Sequence, residues 1–182
     1  MTTIAPAPTS VRSARSRGLA LLTALFSTHT APLAADCALI AARIALAWIF
    51  VYHGSRRLFG WFDGPGIHQS AQYFANTAHL HPGTLFAVMG GTIEFFGGIA
   101  LALGLLSRLA GAAIFADMMM AIVTVTWANG INATGTKSGY ELNIALGVLA
   151  LVVAFFGAGR FGIDALIARR LRTRGDDLPG LP

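Results

Sequence analysis

Gly90-Gly91-Thr92-Ile93-Glu94-Phe95-Phe96-Gly97-Gly98 decides how the chain is read. Glycine pairs stand four and three residues before the glutamate and three and four after it, so Glu94, Gly90, Gly91, Gly97 and Gly98 share one face of a helix. The flanking run from Gly83 to Ser107 is apolar, and Glu94 is its only charge. About 20 such residues cross the roughly 30 Å hydrocarbon layer of a bilayer. A carboxylate at the centre of such a span is unfavourable by about 2.5–3.5 kcal/mol on insertion scales, and it therefore turns toward other helices. The glycines beside it let a neighbouring backbone approach closely. Glu94 is expected in a helix contact, not in lipid.

The whole chain agrees with that segment. Of its 182 residues 55% are hydrophobic and 12% charged, with a mean hydropathy of +0.65, whereas a soluble domain carries about 25% charge. Too few charges remain to cover a soluble surface. Disordered chains are polar and charge-rich, which excludes that class for most of the sequence. Cys37 is the only cysteine, so no disulfide forms within the chain. The net charge of +5 does not indicate nucleic acid, because the basic residues lie at the edges of apolar runs without interleaved aromatics.

Outward from Glu94, three further apolar segments read as spans: about 37–53, interrupted by Arg43; 109–127, with Asp117 as its one charge; and 140–159, with Glu141 near its start. With 83–107 they make four. Only Arg108 and its neighbours link the second and third, which predicts a tight antiparallel hairpin. In the long connection after the first span, Ile67, Ala71, Phe74 and Ala78 recur at helical spacing beyond Gly64-Pro65-Gly66, and predict an amphipathic helix on the membrane surface. The expected fold is an all-α membrane protein, a four-transmembrane-helix antiparallel bundle with a short interfacial helix in the first periplasmic loop. Residues 37–164 form the membrane domain, 1–36 an N-terminal tail with a short apolar segment over Gly18–Phe26, and 165–182 a basic C-terminal tail.

Orientation follows from the basic residues. With both tails and the Arg108 turn on one side, that side holds nine Arg, against Arg56, Arg57 and Lys137 on the other. This bias places both termini in the cytoplasm. Arg12, Arg15 and Arg17, the apolar segment and Ala34-Ala35 come in the order of a signal peptide. Cleavage after Ala35 would put both new termini outside, against the bias, and a short interfacial helix is expected instead. Trp48, Tyr52, Trp61, Tyr73 and Trp127 fall near the outer interface, as anchors do.

The charges inside the spans are the candidate site. Ala110, Ala113, Ala121 and Thr124 share the face of Asp117, which turns it toward the bundle. Counting about 1.5 Å per residue from the cytoplasmic ends brings Arg43, Asp117 and Glu94 to similar depths, and predicts an Arg43, Glu94, Asp117 network. A purely structural ion pair suits the same pattern. Nearer the outer face His53, Tyr140, Glu141 and Asn143 are expected to form a second polar layer, in which a histidine beside a carboxylate would titrate near neutral pH. An interfacial histidine satisfied by water fits equally. His53 is the only histidine on a span, which sets a transmembrane haem aside. The Met118-Met119-Met120 run covers faces toward both lipid and bundle, so it is read as filler and no metal site is expected.

These residues resemble the DoxX family of small bacterial membrane proteins. The resemblance rests on Arg43; His53-Gly54 with Arg57 three residues later; Glu94-Phe-Phe-Gly97-Gly98; Gly104-Leu-Leu-Ser-Arg108; Gly139-Tyr-Glu141-Leu142; and Gly157-Ala-Gly159-Arg160 followed by Asp164. It departs at Arg57, where the family commonly has Lys, at Ala158, where it has Pro, and at Trp127, where it often has His. The resemblance implies a four-helix inner-membrane protein associated with redox enzymes, with a related subunit type passing electrons from thiosulfate to quinone. The expected function is thus a membrane subunit or scaffold of an oxidoreductase assembly. A quinone-reactive subunit with Glu94 or Glu141 taking up protons is the alternative, and a small-solute permease the third reading. Quinone is the one cofactor left open. The expected partners are the lipid bilayer and soluble or membrane redox enzymes, with association of further copies left open.

Overall fold

A computed structural model describes residues 32–132 and 138–176. The Gly18–Phe26 segment, most of the N-terminal tail, Lys137 and the last six residues lie outside the described residues. The chain divides into two units between Ala35 and Asp36. The described helices belong to the second, apart from residues 32–35 at the start of the first helix.

Among the described residues the structure is all-α: α1 Pro32–Phe59, α2 Gly66–Asn76, α3 Gly83–Leu103, α4 Ser107–Ala121, α5 Glu141–Phe156 and α6 Ile163–Asp176. Three stretches, Leu33–Phe59, Gly83–Leu103 and Ser107–Asn129, are long and apolar enough to cross a membrane, and Glu141–Phe156 is a shorter apolar helix. Many large apolar side chains on these helices face outward, Trp48 at 81% exposed and Val123 at 74% among them. That is the pattern of helices solvated by lipid.

Small residues bring the helices together. A Cβ on Gly98 would meet the Val51 side chain at 2.9 Å and the Ala47 carbonyl at 3.2 Å, and one on Gly54 would meet the Phe95 backbone nitrogen at 2.4 Å. Gly98 and Gly54 therefore set the closeness of α1 and α3. Gly111 does the same for α4 against α5, where a Cβ would lie 2.7 Å from the Ala150 carbonyl. Between the seams Leu46, Phe50, Leu101, Ile114, Ala150 and Val153 form a core with almost no exposure.

α1 runs six residues beyond His53, so Arg56 and Arg57 belong to the helix and not to the connection that follows. The turn between α3 and α4 is Gly104–Leu106, with Gly104 at φ +65°. Its conformation favours glycine, and a Cβ there would also lie 2.5 Å from the Arg43 guanidinium. Asp164 caps the start of α4 from a distance, accepting the N–H groups of Leu106 at 2.8 Å and Ser107 at 2.9 Å. α4 does not end as a regular helix. Its continuation Ile122–Thr126 is a π-helical turn, followed by a 3-10 turn Trp127–Asn129. Ile122-Val123-Thr124-Val125-Thr126 is an unbroken run of β-branched residues, whose stiff side chains crowd the preceding turn of an α-helix.

Candidate functional site in the bundle interior

Arg43 is buried at 3% exposure, but its partners are backbone carbonyls. Nε donates to Leu101 at 2.9 Å, Nη2 to Ala102 at 3.3 Å, and Nη1 to Ala158. It thus adds donors at the C-terminal carbonyls of α3, of which Leu101 also accepts the Gly104 N–H at 3.1 Å, and reaches across to the segment after α5. The predicted Arg43, Glu94, Asp117 network is corrected here, because Arg43 bonds at the level of Leu101. Seven residues separate Leu101 from Glu94 along α3, a rise of about 10 Å. Near Arg43, Asp36 accepts from the Arg160 backbone N–H at 3.0 Å and from Arg160 Nε at 2.5 Å. Asp36 and Arg43 thereby tie α1 to the segment after α5.

The cation at Glu94 is Arg57. Arg57 Nη1 lies 3.2 Å from Glu94 Oε1, and its guanidinium also stands over the Phe74 ring at 5.3 Å. Asp117 approaches the same place from α4: a Cβ on Gly90 would be 2.6 Å from Arg57 Nη1 and 3.5 Å from Asp117 Oδ1. Glycine at 90 leaves room for the guanidinium. Gly91 gives the same room to Leu58, whereas Gly97 faces Ile114 at ordinary contact distance. Glu94 is 4% exposed, and its second oxygen, Oε2, is buried with no hydrogen-bond partner.

That group lines a cavity of about 440 Å³, within the roughly 300–1,000 Å³ of typical ligand pockets. α1 contributes Phe50, His53 and Arg57, α2 Tyr73 and Phe74, α4 Asp117 and Met118, and α5 Asn143 and Leu146. The π-helical turn adds Thr124, Val125 and Thr126 to the same wall. Asn143 Nδ2 donates to Thr126 Oγ1 at 3.3 Å. Met120, 45% exposed, and Leu142, 58% exposed, line the cavity and also face outward, so it opens through the flank of the bundle.

Glu94, Asp117, His53 and Asn143 therefore share one cavity, although the sequence reading divides them between two layers. Among the described residues that line it, Tyr140 and Glu141 do not appear. Tyr140 stacks on Trp127, with ring centroids 5.6 Å apart, and Glu141 occupies the first turn of α5, where an acid favours the helix dipole. Arg57 is the residue the sequence reading missed at this site. Its signal was the seven-residue spacing that puts Arg43, Phe50 and Arg57 on one face of α1.

Apolar spanning helices around a buried charged cluster define an integral membrane protein. Residues 38–127 match the sequence model of the DoxX family, and the chain belongs to that family. The match takes in Arg43, Arg57, Glu94 and Asp117 and ends before α5. No curated protein and no solved structure matches the chain.

Proposed function

We propose that this DoxX-family protein is the membrane subunit of an oxidoreductase assembly, and that its cavity docks the head of a quinone. The observation carrying this reading is Glu94, a residue of the cavity wall: one oxygen is held by Arg57 and the other is buried without a partner. A buried carboxyl oxygen without a partner is unfavourable until a ligand supplies one. A quinone ring fits the chemistry of the wall. It is flat and largely apolar, suiting Phe50, Phe74 and Met118, and its carbonyls accept where Arg57 and Asn143 donate. When bound, it supplies two-electron carriage between ring carbonyls and ring hydroxyls. The protein's own part is to place Arg57 as donor, to keep Glu94 Oε2 as acceptor for a hydroxyl, and to exclude bulk water by the apolar core below. Access through the flank suits a ligand dissolved in the bilayer.

The same proposal takes the protein as four spans, with α5 as the fourth. At 16 residues α5 is about 24 Å long, short of the hydrocarbon layer by an amount that local thinning accommodates. Its seam with α4 keeps it in the bundle. The Arg43 end of α1, the turn after α3 and the end of α5 lie together, and the proposal assigns the arginines of both tails and Arg108 to that side. That side is taken as the cytoplasm of a bacterial inner membrane, with α2 at the opposite interface. Redox enzymes are the proposed partners, docking on the cytoplasmic side.

Titrating purified protein with a short-chain quinone tests the reading. A saturable difference spectrum is expected, lost in Glu94→Gln. A titration unchanged by Glu94→Gln would remove the cavity from the proposal.

A further inference from the structure

The polar groups of the cavity are unevenly placed along the bundle. Asp117 and Glu94 sit about nine or ten residues from the turn that joins their helices, near mid-span. Thr126, Asn143 and Ser138 line the same cavity near the opposite end of the helices. From Asp117 to Thr126 the rise along α4 and the π-helical turn is about 13 Å, and Thr124 stands between them on the cavity wall. Below the acids the interior changes character. Leu46, Leu101, Ile114 and Val153 are completely buried and Phe50 is 2% exposed, so a layer of apolar side chains separates the acids from the Arg43 end.

The charges facing the acids are unbalanced. α1 presents Arg57 and His53, α2 presents Tyr73, and α5 presents the neutral Asn143. One guanidinium thus faces two carboxylates, and a site carrying a net negative charge at mid-span is unfavourable by the same reasoning that brought Arg57 there. Glu94 lines the cavity, and its Oε2, buried without a partner, is the oxygen left for a proton. The cavity is many times larger than the roughly 30 Å³ a water molecule takes in the liquid, and its wall has the polar groups that hold water.

We propose that the cavity is a one-sided water path carrying protons between the Ser138–Asn143 end of the bundle and the Glu94–Asp117 pair, with Arg57 holding the pair at one exchangeable proton. In the step itself a hydronium O–H bond breaks, an O–H bond forms on a carboxylate oxygen, and water is released, with no change of oxidation state. The inference goes beyond the ligand reading and needs no quinone.

Two measurements on the full chain in lipid vesicles test it. In a Cys37→Ser background, Thr124→Cys and Asn143→Cys are treated with a membrane-impermeant cationic thiosulfonate from one face or the other, with Ile114→Cys as the buried control. Both cavity positions are expected to label from the Asn143 face only, and Ile114→Cys from neither. Thr124→Cys inert from both faces, or labelled equally from both, overturns the proposal. The second measurement avoids cysteine variants that fail to fold. On the wild-type chain, a water-soluble carbodiimide, which couples to protonated carboxyls, is expected to modify Glu94 or Asp117 from the Asn143 face, and raising the pH on that face alone is expected to abolish the modification. Modification governed by pH on the opposite face overturns the proposal. No quinone is present in either experiment, so failure here leaves the ligand reading standing, and failure of quinone binding leaves this one.

Discussion

Arg43 and Arg57 lie fourteen residues, about 21 Å, apart on one face of α1 and meet different partners. Arg43 is held by carbonyls, so removing it takes donors from neutral acceptors, whereas removing Arg57 leaves the carboxylate of Glu94 without its cation. Breaking a buried pair from one side typically costs about 3–5 kcal/mol, and removing both charges is milder. Arg57→Met is therefore expected to lower the thermal midpoint in detergent strongly, with Glu94→Gln restoring part of the loss. Glu94→Gln in an Arg43→Met background is expected to restore nothing. Rescue of Arg43→Met but not of Arg57→Met would reverse the assignment. At this scale the sequence indicated that Glu94 turns inward, because four glycines mark its face. It did not identify the partner. Depth counted along helices allowed Arg43 to reach, and placing the end of α1 at His53 put Arg57 in a loop.

The helices themselves were easier to read than their contacts. Hydropathy and length locate the apolar segments, but a period of 3.6 residues does not say which neighbour a face will meet. Gly97 and Gly98 looked equivalent in the sequence. In the structure Gly98 abuts the backbone of α1, and Gly97 has ordinary contact with Ile114. Gly98→Ala is expected to cost about 1–3 kcal/mol, the usual penalty of overpacking, while Gly97→Ala stays near wild type. Equal thermal midpoints for the two would show that the α1–α3 seam relaxes freely. The α4 cap makes a second case. Asp164→Ala removes the acceptor for two N–H groups at once, and a loss of about 0.5–2 kcal/mol is expected from cap substitutions. Its distance in sequence, more than fifty residues from the turn it caps, hid it from any local motif. The π-helical turn was hidden in another way: Thr124 was already expected on the inward face with Asp117, but five β-branched residues, though they signal a poor helix, do not say that its irregularity would bring Thr126 onto the same cavity wall.

For the molecule as a whole, two tethers close one end of the bundle, Asp36 with Arg160 and Arg43 with Ala158, while the cavity occupies the other. The proposed topology makes the closed end cytoplasmic. Reporters fused after the C-terminus and within 63–81 are expected to be active on opposite sides, the first in the cytoplasm. A C-terminal reporter active only in the periplasm would contradict it. If Arg57 and Glu94 together make a ligand site inside the spans, the stability of the folded protein rises with ligand only while both are present. A ligand that binds only the folded state stabilises it by about 2.7 kcal/mol at a concentration one hundred times its Kd. With a short-chain quinone in excess, the thermal midpoint of the wild-type protein is expected to rise, and those of Arg57→Gln and Glu94→Gln to stay where they are without ligand. Equal rises in all three proteins would show that the ligand does not bind at Arg57 and Glu94.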